Sequence, residues 1–233
     1  MIPAFREALY IGRTLDALHD YLQARGLLAT TEIVVVTADS PDDTPAIAER
    51  GIARFPHRAH VYPGPKVGKG RDVRAGMLRA TGEFVAFMDA DLATPLAHID
   101  ALLEGLQKFD VVIGCRDLRK IHTRPSRTLS SRIANSLVQT LLLPGIRDSQ
   151  CGFKGFRGDV VGPLFEPLVT LGWGFDIEIL ARARKLDYSI DQLELADWCD
   201  PKGDDGLAGE VQWVARLRTL RELLSIRRRF GRP

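Results

Sequence analysis

Two carboxylates separated by a single residue, Asp89 and Asp91, follow directly on an apolar run at 84–88. Such a run predicts a buried strand, and open α/β sheets bind their ligands beyond the carboxyl ends of the strands. Hard cations such as Mg²⁺ are usually held by one or two carboxylates together with substrate phosphates. The pair therefore suggests a site for a metal and a diphosphate, while two solvated acids at the end of a strand would show the same spacing.

A second candidate is the glycine-rich stretch KVGKGR at 66–71, which opens a predicted helix. Glycines let backbone N–H groups approach an anion, and the positive end of the helix dipole attracts it. The Gly-x4-Gly-Lys-Ser/Thr pattern of a P-loop is absent. An anion-binding loop is one interpretation, and an ordinary exposed turn is the more common one.

The elements that must hold these residues alternate between strand-like and helix-like segments. Strands are predicted at 2–5, 33–36, 59–62, 84–88 and 110–114, and helices at 14–26, 45–55, 73–80 and 96–106. This alternation predicts an α/β fold with a mostly parallel, Rossmann-like central sheet and helices on both faces. We expect Thr14 to cap the first helix and Gly26 to end it.

The second half of the chain is less regular. A basic loop at 120–127 precedes an apolar helix at about 129–143. Further strands are predicted at 152–157 and 190–195, and further helices at 160–168, 177–185 and 211–229.

Composition limits the class of protein. The 233 residues are 45% apolar and include only three cysteines, which excludes disordered, collagen-like and small disulfide-rich proteins. We expect a reducing compartment, the cytoplasm. No segment approaches the roughly 18 to 20 apolar residues of a membrane span, and the first residues lack the pattern of a signal peptide. A protein that is not integral to a membrane is therefore expected.

The net charge of +2 conceals a basic end, because residues 213–233 carry seven arginines and one glutamate. No aromatic platform is interleaved with these arginines, so we expect no nucleic-acid partner. In one interpretation the terminal helix lies peripherally in the headgroup layer of a membrane. It would bury four apolar side chains there, Leu217, Leu220, Leu224 and Ile226. In the other interpretation the helix packs on the domain.

Six segments together resemble family-2 glycosyltransferases, and most closely the branch of dolichyl-phosphate mannose and glucose synthases. They are IPAFRE at 2–7, GKGRDVRAGM at 68–77, FMDADLATP at 87–95, DVVIGCR at 110–116, RDSQCGFKGF at 147–156 and GWGFDIEIL at 172–180. The resemblance implies the A-type glycosyltransferase fold. It also implies transfer of glucose or mannose, with inversion and with Mg²⁺ or Mn²⁺, from a nucleotide-diphosphate sugar to a polyprenyl phosphate of the dolichyl type.

The resemblance divides one catalytic domain into two halves. Residues 1–115 are expected to bind the nucleotide sugar, residues 116–206 to bind the acceptor, and residues 207–233 to form the basic amphipathic helix. We expect an enzyme that acts peripherally at the cytoplasmic face of a membrane.

The resemblance also implies roles for single residues. Asp91 is expected to bind the metal with Asp89 as its companion, and Asp148 to act as a base or to orient the acceptor. Arg116 and Arg127 complete the expected catalytic group. Expected donor-binding residues are Pro3, Ala4, Glu7, Thr37, Asp39, Gly68, Lys69, Gly70 and Asp89. Expected acceptor-binding residues are Arg116, Arg124, Arg127, Arg132 and Gln150.

Other residues are second-rank candidates. Asp176 and Glu178 fit either a catalytic or a structural capping role. Trp198 matches an aromatic near the end of the catalytic domain, and Asp197 or Asp200 is a candidate for completing the metal shell. Cys151 lies inside the acceptor loop, but without a neighbouring histidine it is expected to be a packed thiol.

Two departures from the family fall on the nucleotide side. The family usually has two acids where this chain has Thr37 and Ala38, and it commonly has Asn where this chain has Arg6. Thr37 can still accept an N–H of the base through its hydroxyl, and Asp39 is a nearby substitute. Two alternatives stay open, an enzyme of the same fold that acts on a soluble hydroxyl and a nucleotide-binding relative without catalysis.

Overall fold

The computed structural model describes residues 1–55, 59–117, 142–199, 201 and 221–231. The first half contains β1 (Ile2–Ala4), α1 (Ile11–Ala24), β2 (Ile33–Ala38), α2 (Thr44–Ile52), β3 (Ala59–Gly64), α3 (Lys69–Met77), β4 (Phe84–Met88), α4 (His98–Leu106) and β5 (Val111–Arg116). The second half contains β6 (Phe153–Arg157), α5 (Gly158–Phe165), α6 (Phe175–Lys185) and β7 (Ile190–Leu195). Residues 221–230 are helical and are called α7.

The strands form one α/β arrangement with the order β3-β2-β1 beside β4-β6-β5-β7. β1, β2 and β3 pair in parallel, and so do β5 and β7. The backbone of Met1 connects the two groups, because the N–H of Met88 donates to its carbonyl at 3.1 Å. The predicted strand at 152–157 forms as β6, antiparallel to both β4 and β5. The mostly parallel α/β fold is confirmed.

Continuous burial explains why the central strands form. All six residues of β2 are buried, which is typical of a parallel strand covered by helices on both faces. In β4, Phe87 packs into one apolar cluster with Phe175, and the next residue, Met88, packs into the other with Leu15. Successive side chains of a strand point to opposite faces, so β4 runs between the two cores and delivers the following residues to the edge of the sheet.

The first helix corrects one expectation. It begins at Ile11, so Thr14 is not its cap. Thr14 is buried inside the helix, and its hydroxyl donates to the carbonyl of Ala90 at 2.6 Å. This bond ties α1 to the residue between Asp89 and Asp91. Gly26 ends the helical segment with a left-handed φ of 67°, as expected.

The C-terminal helix packs on the domain. Ile226 is fully buried in the same cluster as Phe175, so the expectation that Ile226 enters a membrane is wrong. Leu224 on the same helix is 48% exposed. Leu217, Leu220 and most of the helix predicted at 129–143 lie outside the described residues. Within the described ranges, no helix is both long enough and apolar enough to cross a bilayer.

Candidate active site

The two carboxylates lie where β4 ends, as the sequence predicted. The N–H of Asp89 donates to the carbonyl of Gly152 at 3.1 Å. A Cβ on Gly152 would overlap the Asp89 carboxylate. The glycine before β6 therefore makes room for Asp89, which keeps 35% of its side chain exposed.

Lys69 is the cation beside this pair. Its Nζ lies 2.5 Å from Asp89 Oδ1 and 5.5 Å from the centre of the Trp173 ring. Burial by itself would lower the pKa of Lys69, but the carboxylates of Asp89, Asp176 and Asp91 outweigh burial and raise it. Lys69 is therefore a permanent ammonium group that neutralises part of the charge on Asp89.

The residues present fit a hard divalent cation bound together with a diphosphate. Asp91 accepts the N–H of Ala93 through Oδ1 at 3.2 Å, and it is half-buried. Within the described residues, no group of three His, Cys, Asp or Glu side chains comes together. Asp89 and Asp91 would thus supply two oxygen ligands, and phosphate oxygens and water would complete the shell, as is usual for Mg²⁺.

Asp197 does not join them. Its Oδ1 lies 2.5 Å from His98 Nε2 on the surface, and this interaction lowers the pKa of Asp197. The expectation that Asp197 completes the metal shell is therefore wrong, and Asp200 lies outside the described residues.

The ends of β1 and β2 form the edge expected to bind the nucleotide. Ala4 pairs with Thr37, and Pro3 pairs with Val36. Thr37 is buried, and its hydroxyl has no hydrogen-bond partner among the described residues. Asp39 is exposed just beyond the strand. A buried hydroxyl without a partner is uncommon, and it marks a position where a ligand group can bind.

The first loop joins this edge through its backbone. The N–H of Glu7 donates to the hydroxyl of Thr44 at 2.8 Å. Arg6 has a left-handed φ of 57°. Asn, which the family commonly has at this position, tolerates this conformation better than most other residues with a Cβ. That departure therefore concerns the backbone as well as the nucleotide.

The glycines of the loop at 66–71 are packed against a remote segment, although Lys66 and Val67 before them are exposed. A Cβ on Gly68 would lie 2.5 Å from the carbonyl oxygen of Leu171, and one on Gly70 would lie 3.0 Å from that of Gly172. The N–H of Arg71 donates to the Leu171 carbonyl at 3.3 Å. The glycines thus allow the start of α3 to pack directly on the backbone of 171–172, far away in the sequence.

Arg116 and Asp148 form a two-point ion pair. Arg116 Nε donates to Asp148 Oδ2 at 2.6 Å, and Nη2 donates to Oδ1 at 2.9 Å. The backbone N–H groups of Arg116 and Gln150 each donate to the same carboxylate at 3.2 Å. Burial would raise the pKa of Asp148, but these bonds and the charge of Arg116 outweigh it and lower the pKa. Asp148 is therefore a fixed carboxylate that orients Arg116 and a poor proton acceptor.

Trp198 lies between the Arg116–Asp148 pair and Asp89. The guanidinium of Arg116 lies 5.2 Å from the centre of its ring. The same tryptophan lines a narrow crevice with Asp89 and Gly152. Gln150 is exposed nearby, and its side-chain amide donates to the carbonyl of Trp173 at 3.5 Å. The predicted acceptor residues Arg124, Arg127 and Arg132 lie outside the described residues.

Sequence reasoning missed Lys154. It is fully buried on β6, and its Nζ donates to Asp176 Oδ1 at 2.6 Å and to the carbonyl of Cys151 at 2.5 Å. Burial raises the pKa of Asp176 despite the opposing charges of Lys154 and Lys69. A lysine between two buried phenylalanines, in the run FKGF at 153–156, was the available signal, because a buried lysine requires a partner.

Two other candidates are structural in the folded chain. Glu178 is fully buried, and it accepts the backbone N–H groups of Val169 and Thr170 and a bond from Arg182. Cys151 is also fully buried, and burial raises the pKa of its thiol to about 11. The packed thiol was expected. Glu178 is structural but not a cap, because the N–H groups that it accepts lie at 169–170 and not in the first turn of α6.

Comparison with known proteins gives a consistent assignment. The family model described as Glycosyl transferase family 2 matches residues 1–165. The chain is 30% identical over 208 residues to Glycosyltransferase AglD of Haloferax volcanii, covering 88% of this chain and 33% of that protein. It is 31% identical over 213 residues to Dolichyl-phosphate beta-glucosyltransferase ALG5A of Trichomonas vaginalis, covering 87% of this chain and 66% of that protein. The chain thus spans one third to just under two thirds of these relatives.

A solved structure shares the fold. It is glucosyl-3-phosphoglycerate synthase from Mycobacterium tuberculosis in complex with Mn²⁺, uridine diphosphate and phosphoglyceric acid. The TM-score is 0.71 at 20% identity, over 100% of this chain and 78% of that one.

Proposed function

The chain belongs to glycosyl transferase family 2, and from this membership we propose that it transfers a hexose, glucose by preference, from a nucleotide-diphosphate sugar to a polyprenyl phosphate of the dolichyl type. Relatives named dolichyl-phosphate beta-glucosyltransferase support both the sugar and the acceptor. One of them, the human protein, is 28% identical over 246 residues, covering 99% of this chain and 74% of that protein.

The observation that carries the proposal is the proximity of two unlike sites, which are connected through Trp198. On one side, Asp89 and Asp91 offer carboxylates suited to a metal-bound diphosphate. On the other, Arg116 lies over Trp198, and Trp198 lines the crevice that also contains Asp89. A cation held beside a diphosphate site suits an acceptor that is itself a phosphate.

The chain's own residues hold the donor in this proposal. Thr37 accepts a hydrogen bond from the base, and Lys69, held beside Asp89, donates to the diphosphate. A bound Mg²⁺ or Mn²⁺ supplies charge neutralisation of the departing diphosphate, and Asp91 and Asp89 would hold it. The glycosyltransferase of the same fold that was crystallised with Mn²⁺ and uridine diphosphate is in keeping with this metal requirement.

On the acceptor side, Arg116 orients the lipid phosphate. One phosphate oxygen forms a bond to the anomeric carbon, while the bond from that carbon to the diphosphate breaks and its electron pair leaves on the nucleoside diphosphate. A phosphate monoester with a second pKa near 6 is mostly a dianion at neutral pH, so no proton has to be removed. The lowered pKa of Asp148 agrees with a mechanism that needs no base. Arg127, Arg124 and Arg132 remain proposed partners of the same phosphate.

We also propose that the chain meets the cytoplasmic face of a membrane peripherally through α7. Leu224 is exposed on α7 beside Arg227 and Arg228, and the three line one open surface depression with Gly231. Arginines near an anionic lipid surface contribute about 1 kcal/mol each.

Turnover of a donor panel tests the proposed function. UDP-, GDP- and dTDP-sugars are supplied with Mg²⁺ or Mn²⁺, with and without a short polyprenyl phosphate, and products are identified by mass spectrometry. We expect a lipid-linked hexose that requires both the metal and the lipid phosphate. Transfer to a soluble acceptor only, or nucleotide binding without transfer, would contradict the proposal.

A further inference from the structure

The short loop GWG at 172–174 lies between the glycine loop at 66–71, called the donor loop below, and the C-terminal helix α7. On one side, its first glycine packs on Gly70, and Leu171 before it accepts the N–H of Arg71. On the other side, the loop meets a carboxylate of α7. The N–H of Gly174 donates to Glu222 Oε2 at 3.0 Å. The loop is thus held from both sides by elements that are remote in the sequence.

Glu222 contacts both glycines of this loop. A Cβ on Gly172 would overlap Glu222 Oε1, and one on Gly174 would lie 2.8 Å from Oε2. The carboxylate therefore sits directly against the backbone on each side of Trp173. It also lies at the amino end of α6, where a negative charge is favoured.

Trp173 is the central residue of this loop. Its side chain is 64% exposed, although it lies between two tightly packed glycines. The ammonium of Lys69 lies 5.5 Å from the centre of the ring. The backbone carbonyl of Trp173 accepts a hydrogen bond from the side chain of Gln150 at 3.5 Å. The loop thus contacts a donor-side residue through its ring and an acceptor-side residue through its backbone.

The helix that carries Glu222 is anchored. Ile226, one turn further on, is fully buried in the core beneath α6. A side chain four residues away on a helix lies on the same face, so the buried Ile226 fixes the direction from which Glu222 approaches the loop.

We propose that Glu222 is a positioning residue for the donor loop. Its carboxylate holds 171–174 in place, and the backbone of 171–172 in turn holds Gly68, Lys69 and Gly70 at the start of α3. The loop and the helix together act as a brace that keeps Lys69 beside Asp89. The part of this inference that concerns donor affinity rests on the proposed function, whereas the mechanical link does not.

Hydrogen exchange tests the mechanical link without any substrate. In Glu222→Ala, amides at 171–175 and also at 68–72 should exchange at least several-fold faster than in the wild type, because the brace has lost its outer support. Arg221→Ala, an exposed neighbour on the same helix, is the matched control and should leave both segments unchanged. Faster exchange confined to 171–175 would overturn the proposal.

Calorimetry with UDP and Mn²⁺ tests the functional consequence. Glu222→Ala should weaken UDP binding by about fivefold to tenfold, while Glu222→Gln, which still accepts from Gly174, should retain most of it. Gly172→Ala should reproduce the loss by displacing the carboxylate, and should add little in a Glu222→Ala background. Additive losses from these two substitutions would contradict the brace. If the wild type binds no UDP at all, the proposed function fails, and hydrogen exchange alone decides the brace.

Discussion

The proposed acceptor side and the proposed donor side of the site are built differently. On the acceptor side, Asp148 is buried and accepts bonds from the side chain of Arg116 and from two backbone N–H groups. On the donor side, Asp89 is about one-third exposed and is held by a single lysine, and the Thr37 hydroxyl has no partner among the described residues. The acceptor side is complete as it stands, whereas the donor side leaves charge and hydrogen-bonding capacity for a ligand.

This difference indicates which side depends on its ligand. A carboxylate with a saturated set of donors keeps its geometry whether or not substrate is bound. Two half-exposed carboxylates close together gain from a cation, because their mutual repulsion is relieved. We therefore expect substitutions on the donor side to act on binding and turnover, and substitutions of the acceptor-side pair to act on folding as well.

The largest effect is expected on the donor side. Asp91→Ala should lower turnover by about 10³-fold, since a metal supplies several kcal/mol of charge stabilisation and each 1.36 kcal/mol is a factor of ten. The melting temperature should change little, because Asp91 is only half-buried. Asp197→Ala, a surface carboxylate paired with His98, is the control and should keep its activity. Retained turnover in Asp91→Ala would refute the metal assignment.

Breaking the Arg116–Asp148 pair should lower the free energy of unfolding. Asp148→Ala leaves the mostly buried Arg116 without its partner, and breaking a buried pair costs about 3–5 kcal/mol. Urea unfolding measures this loss. The double variant Arg116→Met/Asp148→Leu should regain much of the stability but no transfer to lipid phosphate. A cost below about 1 kcal/mol for Asp148→Ala would show that the pair is not a preformed unit.

The same ion pair should make the free energy of unfolding depend on pH. The pKa of Asp148 is lower in the folded chain than its ordinary value near 3.9, so the folded state binds this proton more weakly than the unfolded state. The stabilisation by Asp148 is therefore complete above that value and is lost as the pH falls toward the folded pKa. Asp148→Asn should remove this contribution, so its unfolding free energy should fall less steeply below about pH 4 than that of the wild type.

Lys69 allows a smaller and more selective test of the donor side. Its ammonium occupies the position beside Asp89 that a metal would share, so Lys69→Gln should tighten the binding of Mn²⁺ alone by about threefold to tenfold. Binding of UDP with Mn²⁺ should weaken, because the diphosphate loses a cation. Calorimetry separates the two effects. Unchanged binding of Mn²⁺ alone would show that Lys69 does not compete with the metal.

The features that sequence analysis predicted are those with local causes. The buried strand β2 and the carboxylates after β4 depend only on residues that are adjacent in the sequence, so pattern alone predicted their positions. The insertion of β6 between β4 and β5, antiparallel to both, was not predicted, because strand order depends on pairing between segments that are remote in the sequence.

Long-range contacts also account for the residues that were missed or misread. Lys154 meets Asp176 from a different element, and Glu222 meets Gly174 across 48 positions. Gly68 fits an anion-binding loop or a turn when the sequence is considered alone. Its observed contact is the carbonyl of Leu171, which no local pattern indicates. Thr14 was misread as a cap because its partner, Ala90, is equally remote.

Substitution of Thr37 is expected to have the smallest effect. It distinguishes a residue that serves ligand binding from one that serves stability. Its buried hydroxyl has no partner within the described part of the chain, so Thr37→Val removes an unsatisfied polar group of nearly the same shape. Stability should stay constant or rise by up to about 1 kcal/mol, as measured by urea unfolding.

UDP affinity should move in the opposite direction. If the hydroxyl accepts an N–H of the base, its loss should weaken binding by about twofold to tenfold, which is one neutral hydrogen bond. Thr44→Val is the matched control, because that hydroxyl already accepts the N–H of Glu7 and contacts Asp42, so it should lose stability. A Thr37→Val protein with unchanged UDP affinity would mean that the donor base is recognised elsewhere, and Asp39, just beyond the same strand, would become the residue to test.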